Sequence, residues 1–229
     1  MVKTRYLVAG SALAVVVVAL GAAASYTANG LPPLPQAAAP TASAAPTPTA
    51  APGEPRPVGF AVVGDSITAW AGQEAGSWTS YVGSDGLYFS GHGWARNGAP
   101  LAMMEANTPR LDEDVLVVLA GTNDLRSPVA LDDRLDVVDA IVRRSGVDRV
   151  LISAVPPFDP DPRLGTAWNA ALREHASGAG YAFVDPWSGL RVDDGSFDPD
   201  ATIDGIHPTP AAAERAAQPL RSAIIAAAG

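Results

Sequence analysis

The chain has no cysteine. It therefore carries no disulfide, no thiolate nucleophile, no cysteine-based metal site and no lipidated cysteine behind its apolar N-terminus. Lysine is almost as scarce, with Lys3 the only one in 229 residues. A Gly-rich phosphate loop ending in lysine is absent, so nucleotide hydrolysis has little support. Histidine occurs three times, at His92, His175 and His207, which leaves few candidate bases. Positive charge is short throughout: the net charge is −9, and residues 58–229 hold 12 bases against 23 acids. A domain this acidic repels phosphate backbones and anionic lipid surfaces, which disfavours nucleic-acid binding.

What is present begins with a basic end, Lys3 and Arg5, followed by an uncharged stretch from Tyr6 to Gly30. A basic start before an apolar run reads as an export signal. Residues 1–30 are either a signal peptide, cleaved after the small residues Ala22-Ala23-Ala24, or an uncleaved anchor. The run from Tyr6 to Ser25 is close to the ~20 residues that span a bilayer. Both readings place the rest of the chain outside the cytoplasm, because the positive end stays inside. Contact with a membrane is expected only through this segment, and only if it is retained. Residues 31–57 are almost entirely Pro, Ala, Thr and Ser. Such a stretch has nothing to bury and reads as an extended, disordered tether.

From Val58 onward, strand-like and helix-like patterns alternate. The runs 59–64, 114–121, 148–155 and, more weakly, 180–185 are continuously apolar, as strands buried on both faces are. Residues 87–91 make a further, weaker strand. Helical spacing marks roughly 129–146 and 164–178. Thr209 followed by Pro210 signals the cap and first turn of a final helix. This alternation predicts an α/β sandwich around a mainly parallel sheet, with ligands bound at the carboxyl ends of the strands.

Four motifs fall at such ends. Gly64-Asp65-Ser66 follows the first strand, where a serine at a strand-to-helix turn is exposed and close to partial positive charge. Alone, the tripeptide is weak evidence, since Gly-Asp-Ser is an ordinary turn and helix cap. Asp204-Gly205-Ile206-His207 precedes the last helix, and its tight turn lets the aspartate accept the ring Nδ1 proton and leave Nε2 as a base. His207 is the best-placed base, with His92 a possible substitute; His175 lies in a helical stretch and reads as solvated. Gly121-Thr122-Asn123-Asp124 ends an apolar strand and offers an amide donor to an oxyanion. Asn97-Gly98 offers a backbone N–H close to a ligand, with Gly91 and Gly93 as competitors.

Taken together and in order, these blocks resemble the SGNH (GDSL-type) hydrolase family. Its four name-giving residues map onto Ser66, Gly98, Asn123 and His207, in the blocks GDSIT (64–68), RNGA (96–99), GTND (121–124) and DGIHP (204–208). The resemblance covers essentially all of 58–229, read as one catalytic domain. It implies a three-layer α/β/α sandwich with a flavodoxin-like sheet and a shallow site accepting varied esters. Ser66 would be the nucleophile, His207 the base and Asp204 its orienter. The Ser66 and Gly98 N–H groups and the Asn123 side chain would form the oxyanion hole, and no cofactor or metal is implied.

The expected activity is hydrolysis of carboxylic esters of small molecules, envelope glycans or lipids. A thioesterase or acyltransferase using the same triad is an alternative, as is a non-catalytic sugar- or lipid-binding module. The larger α/β-hydrolase fold fits less well, because its Gly-x-Ser-x-Gly elbow would need glycine where Thr68 stands. Asp65 and Asp124 read as supports for the turns rather than metal ligands. Trp70, Trp78, Trp94 and Trp168 read mainly as packing residues, with an acyl pocket as the other possibility. Residues 156–162 read either as a rim of the cleft or as a plain loop.

Overall fold

The computed structural model describes residues 57–69, 77–83 and 87–229. The expected signal or anchor, nearly all of the tether, and Trp70 lie outside the described residues. Among the described residues, no helix is long and apolar enough to cross a membrane.

Five strands form one sheet in the order β2-β1-β3-β4-β5, all pairs parallel: β1 (Val58–Gly64), β2 (Leu87–Ala95), β3 (Val115–Leu119), β4 (Val150–Ser153) and β5 (Ala182–Val184). Every residue of β3 and β4 is buried, as is all of β1 beyond Val58, which is what continuous apolar runs dictate. The sheet edges, β2 and β5, are mostly half-buried, and theirs are the two weaker sequence patterns.

Helices cover both faces. On one side α2 (Thr79–Val82) packs on α6 (Pro210–Ala228); on the other α3 (Leu101–Asn107), α4 (Leu131–Ser145) and α5 (Pro162–Ala179) pack in succession. The three-layer α/β/α expectation is met. Helix α6 starts as its sequence requires: Thr209 accepts a hydrogen bond from the Ala212 N–H (3.3 Å) and Pro210 fills the first turn. Helix α5 begins two residues before the expected 164, because Asp161 caps it and Pro162 opens it.

Two features of the sheet position the site. Strand β1 has β2 on one side and β3 on the other, so successive connections leave it in opposite directions and a crevice opens at the carboxyl ends of β1 and β3. Strand β2 also carries extra residues between Phe60↔Phe89 and Val62↔Gly93. That bulge turns His92 outward, where its exposed ring meets Glu113.

Candidate functional site

Register brings three loops together. Gly64, the last residue of β1, pairs with Ala95 of β2 and with Leu119 of β3. The Ser66 turn, the Gly98 turn and the Asn123 turn therefore leave neighbouring strand ends side by side. Short helix α1 (Ser66–Ala69) starts directly at the serine, with the Thr68 and Ala69 N–H groups bonded to the Asp65 carbonyl (3.1 and 2.9 Å). Ser66 is buried to 7% exposure. Its hydroxyl lies 2.9 Å from His207 Nε2.

His207 and Asp204 come from a turn ahead of α6. One Asp204 oxygen accepts the Ile206 and His207 N–H groups (3.0 and 2.8 Å), and the other lies 2.8 Å from His207 Nδ1. An ionised carboxylate only accepts, so Nδ1 carries the proton and Nε2 is left to accept from the Ser66 hydroxyl. Burial pushes the Asp204 carboxyl up, but the bonds from the His207 ring and the two backbone N–H groups outweigh it and hold the group below the usual carboxylate range. Thr202 closes the turn: its hydroxyl oxygen accepts from the Gly205 N–H (2.8 Å) and donates to the His207 carbonyl (2.9 Å). Gly205 sits at φ +81°, and a Cβ there would come within 2.8 Å of the Asp159 Cβ. Asp159 in turn donates its N–H to the Gly205 carbonyl (2.9 Å) and accepts from the Phe197 N–H (2.7 Å). The segment after β4 thus borders the Asp204–His207 turn.

On the other flank, the Asn123 amide donates to the Ala99 carbonyl at 3.0 Å, and Asp124 accepts the Leu101 N–H at 2.9 Å. These two bonds tie the loop after β3 to the loop after β2. Gly98 lies in that second loop at φ +71°, in a turn closed by the Ala99 N–H on the Arg96 carbonyl (3.2 Å). Its competitors lie within β2 rather than at its end, Gly91 in the bulge and Gly93 paired with Val62 beside it.

The remaining candidates fall into place as supports. Burial, the Leu101 N–H and Arg134 act on Asp124, with burial prevailing and raising its carboxyl. Among the described residues no acid–histidine cluster is placed to hold a metal ion. Trp78 and Trp168 are core residues, and each spends its indole N–H on the segment that follows a strand: Trp78 on the Thr68 hydroxyl in α1 (3.2 Å) and Trp168 on the Ala120 carbonyl after β3 (3.0 Å). Trp94 is half-buried in β2. Sequence reasoning missed Trp187 and Asn169, which hold the chain after β4. Trp187 donates to the Ala154 carbonyl (2.8 Å), and the Asn169 amide exchanges bonds with both backbone groups of Val155 (2.8 and 2.9 Å). Their signals, a tryptophan after β5 and a polar residue on the inner face of α5, are those of any core position. His175 is not the solvated histidine expected: it is half-buried, and its Nε2 meets Asp139 at 2.9 Å. The cavity lined by Glu113, Asp114, Gly146 and Asp148 lies at the amino end of β3 and β4, opposite the serine.

Known structures share this framework. A GDSL-like lipase from Bacteroides thetaiotaomicron aligns with a TM-score of 0.58 at 18% identity, over 74% of this chain and 88% of its own. The family 3 carbohydrate esterase of Clostridium thermocellum aligns at 0.57 and 18% identity, over 75% and 99%. A carbohydrate acetylesterase family member from Sinorhizobium meliloti gives 0.54 and 17%, over 75% and 99%. At such identities the likeness speaks for the fold alone. No curated protein matches the chain. The model of the GDSL-like lipase/acylhydrolase family matches residues 62–215, a span holding Ser66, Gly98, Asn123, Asp204 and His207, and the chain belongs to that family.

Proposed function

We propose that this protein is a serine esterase acting outside the cytoplasm, with Ser66, His207 and Asp204 as its catalytic triad. The observation that carries the reading is the continuous chain from Ser66 Oγ to His207 Nε2 (2.9 Å) and from His207 Nδ1 to Asp204 (2.8 Å). Ser66 Oγ attacks the ester carbonyl as its proton passes to Nε2, giving a tetrahedral oxyanion and an imidazolium that Asp204 stabilises. The Asn123 amide, steadied by the Ala99 carbonyl, is one oxyanion donor. The Ser66 and Gly98 N–H groups, which no hydrogen bond among the described residues engages, are the others. The imidazolium protonates the departing alcohol, leaving an acyl-serine. Water attacks that acyl group, gives a proton to Nε2, and the acid departs as Ser66 regains its hydrogen.

Short-acyl esters, acetylated glycans foremost, suit a site whose base and acid are both partly open: the His207 and Asp204 side chains are 17% and 46% exposed. The carbohydrate-esterase neighbours favour the same class. The basic, apolar N-terminus and the Pro/Ala/Thr-rich tether favour a place beyond the membrane.

A fluorophosphonate probe and p-nitrophenyl acetate test the chemistry on the purified protein. Labelling and hydrolysis are expected in the wild type and lost in Ser66→Ala. A wild type that does neither, as a sugar-binding module would, overturns the reading, as does labelling that survives in Ser66→Ala. A panel of acetyl to long-acyl esters, acetylated glycans and thioesters then ranks the substrates. Fractionation of cells making the full chain tests its location.

A further inference from the structure

One buried ionisable group remains outside the mechanism. Asp65, directly before the nucleophile, is 0% exposed. Its Oδ1 accepts the Ile67 N–H at 3.0 Å. Its Oδ2 and the Thr122 hydroxyl oxygen are both buried, and neither has a hydrogen-bond partner within ordinary distance and angle among the described residues. Thr122 opens the turn after β3 that carries Asn123, so the two orphaned oxygens come from the two loops that flank the reacting carbonyl. An unpaired buried carboxylate oxygen is costly, and so is an unpaired buried hydroxyl; the Thr122 hydroxyl acts on the Asp65 carboxyl, and a bond between the two relieves both.

We propose, on the strength of the triad reading, that Asp65 is a positioning residue for ester hydrolysis: its carboxylate clamps the Ser66 turn to the Asn123 turn through Thr122 and supplies a buried negative charge behind His207. The charged groups that act on it are His207, from the turn before α6, and Asp124, from the turn after β3. Burial pushes the Asp65 carboxyl up to about 6, against the bonds from Ile67 and Thr122 and the attraction of His207. Above that pH the group is an anion held without water, and it favours the imidazolium formed when Ser66 gives up its proton. Holding that anion opposes folding. Its folded pKa exceeds the unfolded one, so its contribution to stability falls as pH rises from about 4 through about 6. A residue that serves turnover at the expense of stability has a signature that a plain structural residue lacks.

Asp65→Asn, in the full chain, keeps an acceptor for Ile67 and a partner for Thr122 but removes the charge. Its kcat on p-nitrophenyl acetate at pH 8 should fall about tenfold with KM nearly unchanged, and the acid limb of its pH profile should move to lower pH. Its melting temperature should rise relative to wild type as pH goes from 4 to 7. Thr122→Val should lower kcat about threefold and shift the pH-dependent loss of stability upward, and Thr122→Ser should restore both. A wild-type acid limb and kcat in Asp65→Asn, or an asparagine variant less stable than wild type at every pH, overturns the proposal. So does a Thr122→Val indistinguishable from wild type. A wild type that hydrolyses no ester refutes the triad reading instead, and the melting curves still decide whether Asp65 is held as a buried anion beside Thr122.

Discussion

The two halves of the candidate site are built in different ways. The Ser66 half is a product of the sheet: Asp65 and Ser66 are buried, and their place depends on β1 lying between β2 and β3 in one register. The Asp204–His207 half is a partly exposed turn built largely from its own hydrogen bonds. Most of its bonds run between Thr202, Asp204, Gly205, Ile206 and His207, with Asp159 and the serine reaching it from elsewhere. A serine held by long-range packing stays fixed while the histidine is supplied by a loop with its own geometry. Catalytic demands can then be met in the turn without repacking the core.

The largest effect that would break this picture comes from removing the reacting groups themselves. Ser66→Ala and His207→Ala should each lower kcat by about 10⁴- to 10⁶-fold, and Asp204→Asn by ~10²- to 10⁴-fold, measured on p-nitrophenyl acetate. If His92→Ala fell as far as His207→Ala, the base would belong to the β2 bulge and the comparison would fail. Gly205→Ala comes next. It forces alanine to φ +81° and puts its Cβ 2.8 Å from Asp159, so the turn must shift. Activity should drop about tenfold to a hundredfold while the melting temperature falls only a little, because the strain is confined to one turn outside the sheet. A large loss of stability would show that the turn is part of the core after all.

Acidity sharpens the same contrast. Asp204 is held below the ordinary carboxylate range, so its contribution to stability is present above the unfolded pKa and is lost as pH falls through the folded one. The melting difference between wild type and Asp204→Asn should therefore be small, since the side chain is 46% exposed, and should shrink in acid. Asp65 has the opposite sign. Raised from 3.8 to about 6, it costs the folded state about 3 kcal/mol at neutral pH. Melting curves of the two asparagine variants from pH 3 to 8 should diverge from wild type in opposite directions; parallel curves would sink the distinction.

The same division governs what could be read from the residues. Asp204-Gly205-Ile206-His207 is legible because its bonds are local: spacing alone puts acid beside base. Gly64-Asp65-Ser66 is ambiguous by itself, since a cap and a nucleophile differ only in what long-range pairing brings opposite them. The central strands are plain because burial on both faces leaves uninterrupted apolar runs, whereas the Ser90–His92 bulge depends on pairing with β1 and has no local signature. That bulge is why the sequence leaves His92 a candidate base, whereas the register sets its ring outward beside Glu113. Asn169 and Trp187 were illegible for a related reason. Their partners are the carbonyl of Ala154 and the backbone of Val155, distant in the chain and visible only once α5 and β5 are packed.

The smallest expected effect concerns those tryptophan ties. Trp168→Phe keeps most of the buried ring but leaves the Ala120 carbonyl without its donor, at the end of β3 just before Gly121-Thr122-Asn123. A buried carbonyl stripped of its partner costs about 1–3 kcal/mol. If the sheet holds the oxyanion side, that loss should appear almost wholly in the melting temperature, with kcat on p-nitrophenyl acetate within about threefold of wild type. The ring also lies under Arg134, whose guanidinium stands 5.0 Å from its centroid and donates to the Asp124 carbonyl (3.1 Å). Phenylalanine preserves a face for that cation, so the Asp124 turn should keep its second anchor. A fall in kcat well beyond threefold with little change in stability would mean that the indole itself aligns Asn123, and that the sheet register alone does not.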